Sequence, residues 1–290
     1  MKKLDLHKNP VFITLTWSIP MKQRFETLDT YRGIVIVSMI AYHFLYDVFV
    51  IFGSNSFWYR NPGVHAWQQF ICCSFIILSG FVWPYGKKKN LKRGIMINLL
   101  GFVITTFTLI FTPGQEIWFG ILNFLGCAIL LTIPLNVIVE KATGHAVQNA
   151  LHNQMVSKAM EAKKSHPVYW IGLIVSILLF LLFRGVNSGV WGFGDFTLGQ
   201  VPDAWYQFKV LIPFGFPTDS FYSSDYFAIL PWYFLYAFGY FLGRIIESRS
   251  WFHKVGHVRI PVLNWMGRKS IWIYMVHQVI CDGVCLLIFG

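Results

Sequence analysis

Long apolar blocks, separated by short polar stretches, run the length of this chain. A hydrocarbon core of about 30 Å is crossed by about 20 helical residues. Seven blocks reach or approach that length: 33–53, 64–85, 94–112, 118–139, 168–183, 227–246 and 269–289. The loops between them alternate in charge. The stretch before the first block carries Lys2, Lys3, Lys8, Lys22, Arg24 and Arg32. Loop 86–93 reads KKKNLKR after Gly86, loop 140–167 holds Lys141, Lys158, Lys163 and Lys164, and loop 247–268 holds Arg249, Lys254, Arg259 and Arg268. The intervening loops are poor in cations, with Arg60 alone in 54–63 and Glu116 alone in 113–117. Positive loops stay on the cytoplasmic side, so the alternation predicts a cytoplasmic N-terminus and an external C-terminus. The pattern describes an all-α integral membrane protein, a bundle of about seven transmembrane helices. A cytoplasmic or interfacial segment, 1–32, precedes a membrane domain, 33–289.

One connection breaks the rhythm. Segment 184–226 is long, outward-facing and rich in glycine and aromatic residues, among them Trp191, Phe193, Trp205, Phe214, Phe216, Phe221 and Tyr222. Long loops of such composition are functional more often than disordered. It predicts short interfacial or re-entrant pieces forming a lid over an outward cavity, with Trp191 and Trp205 available to stack on a substrate. The alternative is a lid that only plugs the bundle.

Composition sharpens this picture. Of 290 residues 55% are hydrophobic and only 13% charged, about half the charge of a soluble domain. The net charge of +11 follows from the basic loops, so it points to phosphorylated ligands and anionic lipid rather than nucleic acid. The five cysteines, Cys72, Cys73, Cys127, Cys281 and Cys285, sit in apolar blocks without metal-ligand spacing. They read as small packing residues, and no metal site is expected.

Chemistry is concentrated in the first block, RFETLDTYRGIVIVSMIAYHFLYD. At about 100° per residue, Asp29, Arg32, His43 and Asp47 fall within about 60° of one another. His43 lies about 15 Å past Gly33, near the bilayer midplane, and Asp47 is one turn further out, within reach of its ring. Ionisable groups at that depth mark a site or pathway by default. A histidine oriented by a carboxylate is suited to general-base work. A His–Asp hydrogen bond that merely joins two helices is the plainer alternative. The last block, GRKSIWIYMVHQVICDG, places Ser270, Tyr274, His277 and Cys281 on one face with Gln278 and Asp282 beside it. Two histidines entering from different helices suggest a shared cavity, with His277 and Gln278 as substrate ligands. Further candidates are Asn123 and Asp225 for substrate, and His65, Gln68 and Gln69 at the outer end of the second block. Asp225 would either cap the sixth helix or hold a sugar-like acceptor. Lys87, Lys88, Lys89, Lys92 and Arg93, with Arg268 and Lys269, either report topology alone or form a landing site for donor phosphates. Arg32, below His43 on the same face, fits the donor role best.

The segments LDTYRGIVIVSMIAYHFLYD, FIILSGF, KRGIMINLLGFVITTFT, IWFGILNFLG, FYSSDYFAILPW and WMGRKSIWIYMVHQ occur in this order. Together they resemble the bacterial branch of the heparan-α-glucosaminide N-acetyltransferase-like family over about residues 24–285. The Arg32-x10-His43 spacing is also similar to the Arg/His motif of membrane acyltransferases that O-acetylate surface polysaccharides. The resemblance implies a plasma-membrane enzyme that moves an acetyl group from cytoplasmic acetyl-CoA to a carbohydrate on the far side. Its partners would be acetyl-CoA, a glycan acceptor and membrane lipid, with a homodimer left open. At the position of His43 the lysosomal member has an amide side chain, and its essential histidine lies further along, where the nearest histidine here is His65. The lysosomal member is also longer, so glucosamine specificity does not carry over. The competing class is a proton-coupled transporter of a small polar or sugar-like solute, since intramembrane His and Asp also build proton relays. Neither an internal repeat nor paired broken helices supports it.

Overall fold

The computed structural model describes residues 26–53, 56–152, 167–247 and 258–289. The cations Lys2, Lys3, Lys8, Lys22, Arg24, Lys158, Lys163, Lys164, Arg249 and Lys254 lie outside the described residues. Helix α1, Glu26–Tyr46, runs on into a π-helical stretch, Asp47–Phe52. A short α2, Ser56–Arg60, precedes α3, Pro62–Phe81, and a 3₁₀ segment, Trp83–Lys89, leads into α4, Asn90–Phe111. Then come α5, Ile121–His152, and α6, Pro167–Phe183. Strands β1, Val190–Phe193, and β2, Phe196–Gln200, form an antiparallel hairpin. Helices α7, Ile229–Glu247, α8, Pro261–Arg268, and α9, Ser270–Phe289, complete the chain.

Among the described residues seven helices are long and apolar enough to cross a membrane. They coincide with the seven apolar blocks, and the chain is an all-α integral membrane protein. Several boundaries differ from expectation, among them the third span, which begins at Trp83 rather than residue 94, and the fourth, which ends at Gly144 rather than residue 139. The first span begins at Glu26 rather than residue 33, because its first two turns are tied down from outside the helix. Asn264 Nδ2 donates to the Glu26 carbonyl, and Thr27 and Thr30 bond the Val258 and Ile260 backbone. The fourth span begins at Ile121 rather than 118, because residues 112–120 form a loop held by side chains from segment 223–227.

Glycines set how closely these helices pack. Lipid tails are as apolar as leucine, so helices in a bilayer associate through close backbone approach and interhelical polar contacts. At Gly80, Gly239 and Gly243 the α3 and α7 backbones meet so closely that an added Cβ would lie 2.1–2.4 Å from a carbonyl oxygen across the interface. On α4 and α5, Gly101 seats the Asn123 amide and Gly126 seats the Asn98 amide. Helix α8 rides on α1 through Gly33 and Gly267. Ile76, Phe124, Ala128, Ile129, Tyr236 and Tyr240 are fully buried where α3, α5 and α7 meet. Hydroxyls on α4 bond back to carbonyls of the preceding turn, as Thr105 to Gly101 and Thr106 to Phe102, which satisfies them where no water is at hand.

The connection between α6 and α7 is more ordered than a set of re-entrant pieces. It folds as the β-hairpin followed by 3₁₀ turns at Asp203–Gln207 and Lys209–Phe214. Val186, Val201 and Phe216 are buried beneath it, packed by Phe183, Trp191, Tyr206, Leu211 and Leu230. The Tyr206 hydroxyl donates to the Val186 carbonyl and the Tyr226 hydroxyl to that of Ile212.

Candidate active site

The early turns of α1, α4 and α9 come together around one cavity. Arg32, Arg93 and Ser270 border this space of about 290 Å³, lined further by Phe75, Ser79, Ile97, Leu125 and Tyr274. The cavity reaches Ile121 and Leu122, at the start of α5. It sets two arginines among largely apolar walls. Arg32 Nη1 donates to Asp29 Oδ1 at 3.2 Å, both side chains being largely buried. Arg93 is held on the first turn of α4, which follows directly on the lysine-bearing 3₁₀ segment.

At the inner end of the cavity lies Tyr274, whose ring centroid is 5.3 Å from that of His277. His277, buried on α9, meets His43 of α1 edge to face, with ring centroids 4.8 Å apart. The two intramembrane histidines thus share one place, as their depths suggested. Nδ1 of His277 lies 2.7 Å from the Tyr274 carbonyl oxygen. One turn outward, fully buried Asp47 accepts from Gln278 Nε2 at 3.1 and 3.3 Å, and the same amide donates to Asp282 at 3.1 Å.

This corrects the expected pairing of Asp47 with His43. Residues 43–46 are α-helical and the π-helical stretch begins only at Asp47. The i,i+4 relation of the two residues therefore holds, and the donor opposite rather than the winding decides the pairing. Its carboxylate turns to α9, and no hydrogen bond among the described residues fixes the His43 ring.

The family model described as heparan-alpha-glucosaminide N-acetyltransferase, catalytic, matches residues 24–279. The chain belongs to that family. It is accordingly a transmembrane acetyltransferase. No curated protein and no solved structure matches the chain.

The remaining sequence-predicted residues of this acetyltransferase have other placements. Lys88, Lys89 and Arg268 are exposed at the cationic face, whereas Lys87 is engaged with Glu140 at 2.5 Å. Asn123 is buried, packed on Gly101 and donating weakly to the Asn98 carbonyl at 3.5 Å, so the structure uses it to join α4 and α5. Asp225 does cap a helix, but not its own. Its Oδ2 accepts from the Ile121 amide at 3.3 Å, across 104 residues, at the start of α5. Burial pushes its carboxyl up to about 6, opposed by hydrogen bonds from that amide and from the Tyr274 side chain. Trp191 and Trp205 pack edge to face on each other and on Phe183 and Phe216. They form the hairpin's own core, with Trp205 still 41% exposed. His65 is exposed near the start of α3. Gln69 accepts from Arg184, which also lies over the Trp232 ring.

Sequence reasoning passed over three residues as site members: Tyr274, Ser79 and Asp282. Tyr274 had a usable signal, since it precedes His277 by three residues and so shares its face. Ser79 had none, because a serine within an apolar helix is ordinarily satisfied by its own backbone. Among the described residues no group of three or more acidic, histidine or cysteine side chains is placed to hold a metal.

Proposed function

We propose that this acetyltransferase takes its acetyl group from acetyl-CoA at the cationic face and delivers it to a carbohydrate acceptor on the opposite side. The observation that carries this reading is the continuity between the cavity and the histidines. Tyr274 lines the one and packs on the other. A volume of about 290 Å³ is at the small end of ligand pockets, which run to about 1,000 Å³. It suits a slender thioester arm and leaves the nucleotide outside. The 3′-phosphate and diphosphate would then rest on Arg32 and Arg93, with Lys88, Lys89 and Arg268 nearby and Lys87 released from Glu140 to join them. Arginine forks match phosphate oxygens two at a time.

Transfer takes place at the His43–His277 pair, with Gln278 beside it and the hairpin segment over the acceptor. Trp191 and Trp205 hold that segment in shape and offer Trp205 as a sugar-stacking face. The loop charges favour a cytoplasmic cationic face and an external C-terminus, with membrane lipid around the bundle. The Asp47–Gln278–Asp282 run favours a second reading, a proton path for a transporter, because it links two carboxylates across helices.

Purified protein in lipid nanodiscs, supplied with acetyl-CoA and a panel of amino and hydroxyl sugars, distinguishes these. Acceptor-dependent release of CoA supports acetyl transfer. Solute flux coupled to a pH gradient in proteoliposomes, with no CoA released, would select the transporter instead. Reporters placed in loop 86–93 and segment 184–226 test the sidedness, with the first expected in the cytoplasm and the second outside.

A further inference from the structure

We infer that His277, rather than His43, is the general base, and that Gln278 is the positioning residue for the acceptor beside it. This rests on the acetyl-transfer reading above. A carbonyl oxygen can only accept a hydrogen bond. The 2.7 Å contact between His277 Nδ1 and the Tyr274 carbonyl therefore assigns the ring hydrogen to Nδ1 and leaves the lone pair on Nε2. That Nε2 is buried and has no hydrogen-bond partner among the described residues. Gln278 repeats the pattern. Its Nε2 hydrogens are engaged by Asp47 and Asp282, while its buried Oε1 has no partner among the described residues. Neighbouring residues on α9 thus present two buried, unmatched acceptors, which cost stability until a donor meets them.

Two unmatched acceptors where α9 meets the first span ask for a ligand that donates. An acceptor hydroxyl or amine does so, and a thioester or a CoA phosphate does not. His43 offers no equivalent, since no hydrogen bond selects its tautomer and Asp47 is committed to Gln278. The ring orientation that a buried carboxylate supplies to a catalytic histidine in other enzymes is supplied here by a backbone carbonyl one turn earlier on the same helix. Tyr274 holds that carbonyl in place while its side chain reaches Asp225 and lines the cavity.

The step balances without a further reagent. His277 Nε2 takes the proton of the acceptor O–H or N–H as its heteroatom attacks the acetyl carbonyl of acetyl-CoA. The new C–O or C–N bond forms, the C–S bond breaks, and the proton passes from His277 to the departing thiolate, giving free CoA and a neutral imidazole.

The test compares His277→Gln, His277→Ala and His43→Gln in nanodiscs for kcat, acetyl-CoA Kd and thermal stability. Glutamine keeps the volume and can still donate to the Tyr274 carbonyl, but has no basic lone pair. We expect both His277 variants to lose activity by about 10²–10⁴-fold with Kd and melting temperature near wild type, and His43→Gln to keep at least a tenth of it. The inference is overturned if His277→Gln regains activity to within tenfold of wild type, which would make the residue structural. It is also overturned if His277→Gln loses acetyl-CoA binding, or if His43→Gln is the more damaging. A wild-type protein that releases no CoA with any acceptor would instead sink the acetyl-transfer reading itself.

Discussion

Replacing Asp225 by asparagine should make the protein more stable at neutral pH than at acid pH relative to wild type, because the native carboxylate is held where ionisation is costly. Burial lifts its carboxyl from an ordinary 3.8 to about 6. A pKa raised in the folded state means that its stabilising, protonated form is fully present below about 3.8 and is lost as pH rises through about 6. About two units at ~1.4 kcal/mol each put the cost of the buried charge near 3 kcal/mol above that window, as an upper estimate. Asparagine keeps a carbonyl oxygen for the Ile121 amide but carries no charge, so its stability should be flat from pH 4 to 7. Taking roughly 2–4 °C per kcal/mol, the melting difference between Asp225→Asn and wild type should widen by on the order of 5–10 °C from pH 4.5 to 7.5. Asp225→Ala separates the cap from the charge, since it removes the acceptor at every pH and should add a constant penalty of about 0.5–2 kcal/mol. Melting curves in detergent, followed by tryptophan fluorescence, read all three. A difference between asparagine and wild type that stays constant with pH, or narrows as pH rises, would refute the argument.

Three further outcomes follow from the geometry. Arg32→Gln and Arg93→Gln should each raise the KM for acetyl-CoA about tenfold or more with kcat nearly unchanged, because phosphate contacts are made equally in ground and transition states. Neutralising Lys87, Lys88 and Lys89 together should act in the same direction but more weakly, and steady-state kinetics across acetyl-CoA concentrations checks both. Gly267→Val should destabilise strongly, since even a Cβ there would lie 1.8 Å from the Asp29 carbonyl oxygen. Helix α8 would have to leave α1, and thermal melting should fall well below wild type, for Gly267→Ala as well as for the valine. Trp191→Ala should loosen the hairpin's core and lower stability and acceptor use together. Trp205→Ala, at a half-exposed ring, should weaken acceptor use with acetyl-CoA binding intact. Equal loss of both substrates in Trp205→Ala would return that ring to a structural role.

The spans were readable because each depends on a property of its own residues. Twenty apolar residues cross a bilayer as a helix whatever lies beside them, and the loop charges order them. The meeting of His43 and His277 was readable in part for the same reason, as similar counts of residues from each helix start. Pairing across helices is another kind of fact. Asn123 and Gly101 interlock because two helices happen to face each other there, and nothing in FGILNFLG names the partner. Asp225 precedes α7 and was read as that helix's concern, yet its carboxyl closes the start of α5, reached only once residues 115–121 and 223–227 lie together.

Asp47 shows why a buried carboxylate is the hardest case. In water its bonds would be made by solvent; in a bilayer they must be made by whichever donor stands opposite. Helical arithmetic nominated His43 because it looked only along α1. The Gln278 amide on α9 decides otherwise, and that contact is a property of the assembled pair of helices rather than of either alone. Once Asp47 is satisfied by Gln278, the histidine that remains oriented is the one bonded to its own helix, His277. The two histidine rings meet where the counts along α1 and α9 suggested, while the partners of Asp47 and Gln278 are set by the contact between those helices.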